Sequence, residues 1–361
     1  MRCDPEVHWN LTTGPVLEPF TVAEAKAQIR SVQNQEDGLV SAYIKSARQA
    51  CEYYMGRGLL TGQNVPLLGT YLGIAGNGEV AETVEQSDGL LLLGVIVSDT
   101  NFAVSGKRID LRFAIQALDG KVVMGHHVYP DVALARLVDA LLERVPSRRD
   151  AQPAPVLPAH QRDLDVSIVD DAPVVPGDIA VAVNRLMHDN GGIPLACDVG
   201  DCLFTAIDID PTALIAPGYY ASMGYGVPAG LGLQAATGRR PIILVGDGAF
   251  QMTGWELGNA QRHGWDPVVI VFNNAGWEML RAFEPDVDFN DLGLWDFASM
   301  AAGMGGDGHV VHTRGELERA LRRAWSTRGR FQLIDVRIAA GERSPTLGRF
   351  VKAVKRLSGG R

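Results

Sequence analysis

The chain has few of the residues that mark disulfide-rich or zinc-binding proteins. It carries four cysteines in 361 residues: Cys3, Cys51, Cys197 and Cys202. Their spacing fits neither a disulfide framework nor a zinc site. We therefore expect Cys197 and Cys202, which stand in the stretch LACDVGDC, to be small core or loop thiols and not metal ligands.

Long apolar runs and basic clusters are also lacking. The longest apolar runs, such as GLLLLGVIV at residues 89–97, are far shorter than the ~18 residues of a membrane span. The first residues contain no apolar segment of a signal peptide. The formal net charge is -9 and no basic face is visible. The sequence thus predicts a cytoplasmic protein that binds neither a membrane nor nucleic acid.

What is present divides into four parts. Residues 1–62 have a helical pattern, with a capping box at residues 21–24 (TVAE) and a later apolar stripe at helical spacing. Residues 63–145 are predicted to form a partial α/β domain, in which GLLLLGVIV and KVVMG are strands. Residues 146–175 are rich in proline and charge, which is typical of a linker.

Residues 176–361 alternate apolar strand patterns with helical stretches. The predicted strands lie in IPLACDVG, ALIAPGYYASMGYG, PIILVGDG, PVVIVFNN, GHVVHT and FQLIDVRI. This order predicts an α/β domain with a doubly wound parallel sheet.

Two of these apolar runs end on small residues that carry oxygen. PIILVG is followed by Asp247, and PVVIVF is followed by Asn273 and Asn274. Since ligands bind outside the carboxyl ends of parallel strands, we expect Asp247 and Asn274 to lie side by side there. One carboxylate and one amide oxygen leave room for the phosphate oxygens and water that complete a Mg²⁺ shell.

Glycines around these ends strengthen the interpretation. Gly276 permits an unusual backbone turn that could direct a carbonyl at the ion. Gly246 and Gly248 let backbone N–H groups approach a phosphate at the start of the next helix. The residues indicate a metal-bridged diphosphate site; the plain alternative is a strand-to-helix turn in which Asp247 is only a cap.

The motif pair GDG…NN resembles the signature of thiamine diphosphate enzymes. Over most of the chain, the sequence is similar to the 2-oxo acid decarboxylases, nearest to those of indolepyruvate and phenylpyruvate. GTYLGIAGNGEVAETVEQSDGLLLLGVIVSDTNF resembles their middle domain, and GDGAFQMTGWELGN with NNAGWEMLR resembles their cofactor domain. The resemblance implies a thiamine diphosphate-binding fold and thiamine diphosphate with Mg²⁺ as cofactors.

The resemblance also implies roles for individual residues. Asp247 and Asn274 would bind Mg²⁺ through their side chains, and Gly276 through its backbone oxygen. Gly248 and Ala249 resemble the turn that contacts the diphosphate.

Two further segments complete the implied site. Asp201, in DVGDC, occupies the position that touches the diphosphate. Ser222 and Met223, in ASMGYGVP, lie in the segment under the cofactor's rings, with Met223 in the place of the apolar residue that holds the cofactor bent. The alternative for Met223 is an ordinary core methionine.

Leu280 and Glu278 follow Gly276 at positions that bear on the choice of substrate. Many pyruvate decarboxylases have a glutamate where this chain has Leu280, which resembles the branch acting on aryl pyruvates such as phenylpyruvate. Glu278 is predicted to be a carboxylate on a helix surface, with a position facing the site as the alternative. His126 and His127 follow a middle-domain strand and are predicted not to be catalytic.

The family's pyrimidine-binding domain, which carries the activating glutamate, has no counterpart in residues 1–62. Those residues instead resemble a fragment of a phage head-tail connector protein, in EPFTVAEAKAQIR and YMGRGLL. We expect an aromatic 2-oxo acid decarboxylase that is weakly active or inactive alone. A homo-oligomer or a partner with a pyrimidine-binding domain would complete it. The alternatives are a non-catalytic cofactor-binding remnant and an assembly protein from a gene fusion.

Overall fold

The computed structural model of the protein describes these residues: 70–97, 108–144, 171–210, 212–217 and 220–358. The helical pattern predicted within residues 1–62, its capping box, Cys3 and Cys51 lie outside them. None of the helices in the described part has the length and apolar character needed to span a membrane.

The first described part forms a four-stranded sheet. Its strands are β1 (Leu90–Leu93), β2 (Ala114–Leu118), β3 (Lys121–Met124) and β4 (His127–Tyr129). They lie in the order β1-β2-β3-β4, with β1 and β2 parallel and the other pairs antiparallel. Two helices accompany the sheet, α1 (Gly78–Glu85) and α2 (Leu134–Arg144). The side chain of Asn77 caps α1 by accepting from the N–H groups of Glu79 and Val80.

The second part is built on a six-stranded sheet in the order β6-β5-β7-β8-β10-β9. All the pairs are parallel. The strands are β5 (Leu195–Cys197), β6 (Leu214–Ile215), β7 (Ile242–Gly246), β8 (Val268–Asn273), β9 (Asp307–Val311) and β10 (Gln332–Arg337). The α/β class with a doubly wound parallel sheet is therefore confirmed.

Helices cover both faces of this sheet. They are α3 (Pro176–Asn190), α4 (Asp201–Ile207), α5 (Gly226–Thr237), α6 (Asp247–Thr253), α7 (Gly258–His263), α8 (Glu278–Arg281), α9 (Phe297–Gly303), α10 (Arg314–Ser326) and α11 (Pro345–Ser358). A 3-10 turn, Gly254–Leu257, separates α6 from α7.

Strand β7 shows why both faces are covered. Ile242 and Leu244 pack into one core with α3 and α10, whereas Ile243 and Val245 pack into the other core with α5, α6 and α9. Alternate side chains of a strand point to opposite faces of the sheet, so a strand that is apolar throughout must be covered on both faces. This double burial fixes β7 in the centre of the sheet.

The final helix α11 joins the two parts of the chain. Leu347 and Val351 of α11 pack with Leu72 and Ala75, and the guanidinium of Arg349 donates from Nε to the Ala75 carbonyl at 2.9 Å. At the other edge of this sheet, the last residues of the predicted linker lie beside the residues that follow β9. There the N–H of Val174 donates to the His312 carbonyl at 3.0 Å.

Candidate functional site

A cavity of about 330 Å³ opens at the carboxyl ends of β5, β7 and β8. Every residue predicted for the cofactor site lines it except Ser222, which lies exposed on the neighbouring loop. Those that line it are Asp201, Met223, Gly246, Asp247, Gly248, Ala249, Asn274 and Gly276. The fold thus brings together residues from three separate strand ends.

The centre of the site is a shared hydrogen bond. Because β7 and β8 pair with Gly246 opposite Phe272, Asp247 and Asn274 both lie just beyond the strand ends. The N–H of Gly276 donates to Asp247 Oδ2 at 3.0 Å and to Asn274 Oδ1 at 3.2 Å. One carboxylate oxygen and one amide oxygen therefore converge on the same point.

The charge of Asp247 is poorly compensated. Its side chain is 3% exposed, and burial raises the pKa of its carboxyl to about 6, although the N–H groups of Gly248 and Gly276 oppose the shift. No salt bridge joins it to another described residue. The charge of Arg281 also opposes the rise in pKa, but it forms no salt bridge with Asp247. A buried anion without a salt-bridged partner fits a divalent ion.

The donor set decides what kind of ion fits. Nowhere in the described ranges do three or more His, Cys, Asp or Glu side chains gather as a metal site. An ion at Asp247 would thus rest on one carboxylate, the neutral oxygens of Asn274 and Gly276, and ligands from phosphate or water. Mg²⁺ accepts such a set, so the residues present fit it.

The turn after β8 differs from the prediction. The positive φ falls on Ala275, at 55°, and not on Gly276. Glycine is needed at 276 for space, because a Cβ there would lie 2.0 Å from Arg281 Nη2 and 2.5 Å from the Asn290 carbonyl oxygen. The Gly276 carbonyl accepts from the N–H of Glu278 at 3.0 Å.

Trp277 is a cavity residue that the sequence did not reveal. Its indole lies against Gly248, so that a Cβ on Gly248 would meet the ring at 2.1 Å. The N–H of Gly248 donates to Asp247 Oδ1 at 2.8 Å. Glycine at 248 thus makes room for a tryptophan as well as for the tight turn into α6.

Asp201 is held by Ser344, the residue before α11. Its carboxylate accepts from both the N–H and the hydroxyl of Ser344. Burial raises the pKa of this carboxyl to about 6. A diphosphate would meet Asp201 through its backbone, because the carboxylate is already bonded and carries the wrong charge.

Leu280 and Glu278, which follow Gly276 in the chain, both border the cavity but differ in their surroundings. Leu280 is 50% exposed and borders the cavity. Glu278 is only 4% exposed and pairs with Arg281 at 2.6 Å and Arg343 at 2.9 Å. The prediction of a surface carboxylate at Glu278 was wrong: it borders the cavity, but both of its oxygens are bound by arginines.

The predicted histidines lie away from the site, whereas one of the two cysteines borders it. His126 and His127 are exposed at the start of β4 and do not line the cavity. Cys197 and Cys202 are buried free thiols, and Cys202 lines the cavity. Burial raises the pKa of the Cys197 thiol, as expected for an inert core cysteine.

Comparison with known proteins places this arrangement. Residues 198–336 match the family model described as thiamine pyrophosphate enzyme, C-terminal TPP binding domain. The chain is 56% identical over 306 residues to indole-3-pyruvate decarboxylase of Azospirillum brasilense. The chain is thus similar to 2-oxo acid decarboxylases, and within it residues 198–336 match the domain by which thiamine pyrophosphate enzymes bind their cofactor.

Other decarboxylases that the chain resembles are more distant. The alpha-keto-acid decarboxylases of Mycobacterium bovis and Mycobacterium tuberculosis are 28% identical over 304 residues, which is 82% of this chain and 54% of each relative. The match to the Azospirillum protein covers 84% of this chain and 56% of that protein. The chain therefore spans about half the length of the curated relatives it matches.

Proposed function

We propose that this chain provides the diphosphate- and Mg²⁺-binding half of the active site of a thiamine diphosphate-dependent decarboxylase that acts on aromatic 2-oxo acids. The observation that carries the proposal is the convergence of Asp247 Oδ2 and Asn274 Oδ1 on one N–H inside the cavity. These side chains and the Gly276 carbonyl would hold Mg²⁺. Gly246, Gly248 and Ala249 would lie along the diphosphate.

Thiamine diphosphate, when bound, supplies a nucleophilic carbon and an electron sink for the loss of carbon dioxide. The chain's own residues position and enclose it. Met223 and Leu280 are about half exposed, at 48% and 50%, and present apolar surface at the cavity. Leucine cannot move a proton, so we assign Leu280 to packing against the substrate's aryl group.

The substrate class rests on Leu280 and on the named relative. The Azospirillum protein, at 56% identity, is named for indole-3-pyruvate. A 2-oxo acid with a large apolar side chain suits a leucine at the cavity better than pyruvate does. A pyrimidine-binding domain from another chain would face the same opening.

Calorimetry tests the cofactor assignment. Thiamine diphosphate is titrated into the protein with Mg²⁺ and with excess chelator, for the wild type and Asp247→Ala. We expect binding that needs Mg²⁺ and is lost in Asp247→Ala, while Asp286→Ala, a change at an exposed aspartate, binds as the wild type does. Equal binding by Asp247→Ala would overturn the metal assignment.

Turnover tests the substrate class separately. Initial rates on phenylpyruvate and indolepyruvate should exceed the rate on pyruvate. A preference for pyruvate would contradict the role given to Leu280. The rates should be low for the chain alone. Mg²⁺-dependent binding without turnover of any of the three, even after addition of a protein that supplies a pyrimidine-binding domain, would favour the alternative of a non-catalytic cofactor-binding protein.

A further inference from the structure

The loop that carries Met223 is anchored by a residue with no assigned role. Asp198 follows β5 directly and is fully buried. Its own N–H donates to the Leu244 carbonyl of β7 at 2.9 Å, so its backbone is fixed to the central sheet. Sequence pattern alone does not indicate this role, because an aspartate at a strand end is usually a cap.

The Asp198 carboxylate collects backbone donors from the loop at residues 221–226. Oδ1 accepts from the N–H of Val199 at 2.9 Å and of Gly224 at 3.2 Å. Oδ2 accepts from the N–H of Gly226 at 2.7 Å. One buried carboxylate thus ties the loop after β5 to the residues on both sides of Tyr225.

A second contact holds the same loop from the opposite direction. The hydroxyl of Thr253, at the end of α6, donates to the Gly224 carbonyl at 2.7 Å. Asp198 therefore binds the loop from the β5 side and Thr253 binds it from the α6 side; we call these two residues the clamp. Helix α6 begins at Asp247, so the clamp connects the Met223 loop to the helix that starts at the candidate metal ligand.

Two glycines make this close approach possible. A Cβ on Gly226 would lie 2.9 Å from the Asp198 nitrogen. Gly224 has a φ of +80°, and a Cβ there would lie 3.0 Å from Thr253 Cγ2. Both positions exclude a side chain, because the backbone lies against its two anchors.

The side chain of Met223 packs against the rest of the protein over only about half of its surface. Its side chain is about half exposed at the cavity, and it directly precedes Gly224. The position of its backbone is consequently set by the clamp and not by packing of its own side chain.

We infer that Asp198 is a positioning residue: it fixes the backbone next to Met223, so that the Met223 side chain supports the rings of the cofactor. It acts through the backbone of Gly224 and Gly226 and touches no cofactor atom. The inference rests on the proposed function. It adds a residue whose substitution should weaken binding of the cofactor's rings but leave binding of its diphosphate unchanged.

Two probes make that separation measurable. Thiamine diphosphate has both rings and a diphosphate, whereas inorganic diphosphate has only the part that Asp247 and Asn274 would hold through Mg²⁺. Both are titrated by calorimetry in the presence of Mg²⁺. Asp198→Asn keeps the size of the side chain, but its NH₂ group faces a backbone N–H that the carboxylate had accepted from.

Asp198→Asn should weaken thiamine diphosphate binding roughly tenfold or more, as expected for losing a hydrogen bond to a charged group. Its affinity for inorganic diphosphate should stay within about twofold of wild type, since that end of the site is untouched. Thr253→Val should give a smaller loss of the same kind. Asp208→Asn, whose carboxylate binds Thr346 away from the cavity, is the matched control and should change neither affinity.

A double-mutant cycle with Met223 tests the route of the effect. If Asp198 acts through Met223, then Met223→Ala alone should reproduce the loss, and the double variant should be no weaker than either single variant. Asp198→Glu should restore part of the thiamine diphosphate affinity because it returns the charge.

The outcomes are distinct. Equal weakening of both probes by Asp198→Asn, or additive effects of Asp198→Asn and Met223→Ala, would overturn the positioning role and leave the proposed function standing. A wild type that binds neither probe would overturn both. If Asp198→Asn does not fold, as judged by its thermal unfolding, Asp198→Glu replaces it in the cycle with Met223→Ala, because it displaces the carboxylate from Gly224 and Gly226 while it keeps the charge.

Discussion

Asp201 and Ser344 are joined by two hydrogen bonds although 143 residues separate them in the chain. The backbone N–H of Ser344 donates at 2.9 Å and its hydroxyl donates to the second carboxylate oxygen. An anion at this point also favours the start of α11, because the N-terminal end of a helix carries partial positive charge. The start of α4, which borders the cavity, is thereby bonded to the residue before the last helix.

Removing this tie should cost stability. We expect Asp201→Ala to lower the free energy of unfolding by about 1–3 kcal/mol, because the buried N–H and hydroxyl of Ser344 lose their acceptor. Ser344→Ala, which removes only the hydroxyl bond, should cost less. Urea denaturation measures both. Unchanged stability of Asp201→Ala together with lost cofactor binding would instead make Asp201 a cofactor contact.

The raised pKa of Asp247 predicts how affinity depends on pH. Burial raises it to about 6, so without an ion the folded state favours the protonated carboxyl. The contribution of the protonated Asp247 carboxyl to folding stability is present in full below the pKa that this group has in the unfolded chain. It is lost as the pH rises through about 6. Mg²⁺ needs the ionised form, so apparent affinity for Mg²⁺ with thiamine diphosphate should fall about tenfold between pH 7 and pH 5.

Calorimetry at a series of pH values tests this dependence. Asp201 shares a pKa of about 6, so the series is repeated with Asp201→Asn, which removes that second titrating group. The fall in affinity should persist in this background. An affinity that is independent of pH in both proteins would show that Asp247 does not bind the ion.

The contact between Gly248 and Trp277 predicts a coupled pair of substitutions. Gly248→Ala would force a methyl group into the indole, and we expect a loss of about 1–3 kcal/mol from overpacking. Trp277→Ala in the same chain should recover much of that loss, because the colliding ring is gone. Thermal unfolding of the two single variants and the double variant gives the coupling; simple additivity would contradict the contact.

The arginine pair around Glu278 predicts a structural effect. Glu278→Gln leaves Arg281 and Arg343 without their buried partner, and breaking such a pair costs about 3 kcal/mol or more. Glu284→Gln, at an exposed carboxylate nearby, is the control and should be neutral. Wild-type stability of Glu278→Gln with lost turnover would show that Glu278 takes part in the reaction.

The sequence predicted the elements that depend on local pattern. β7 and β8 are apolar on both faces, so their central place and the meeting of Asp247 with Asn274 followed from the apolar runs and the residues that end them. β4 was missed, because its residues are exposed and show no alternation of apolar and polar side chains. The positive φ at Ala275 was assigned to Gly276 by the usual preference of glycine for that conformation.

What the sequence could not supply are contacts between distant segments. The burial of Glu278 depends on Arg343, which follows β10 in the chain, and the position of Trp277 depends on Gly248. The role of Asp198 could not be predicted for the same reason, because its contacts with Gly224 and Gly226 form only when the loop folds against the sheet.

The Gly276 amide proton is a natural reporter of the site. Its exchange with solvent deuterium requires release from both Asp247 and Asn274, which directly follow two neighbouring central strands. Slow exchange at this one amide would therefore mean that the oxygens are already gathered before any ion arrives.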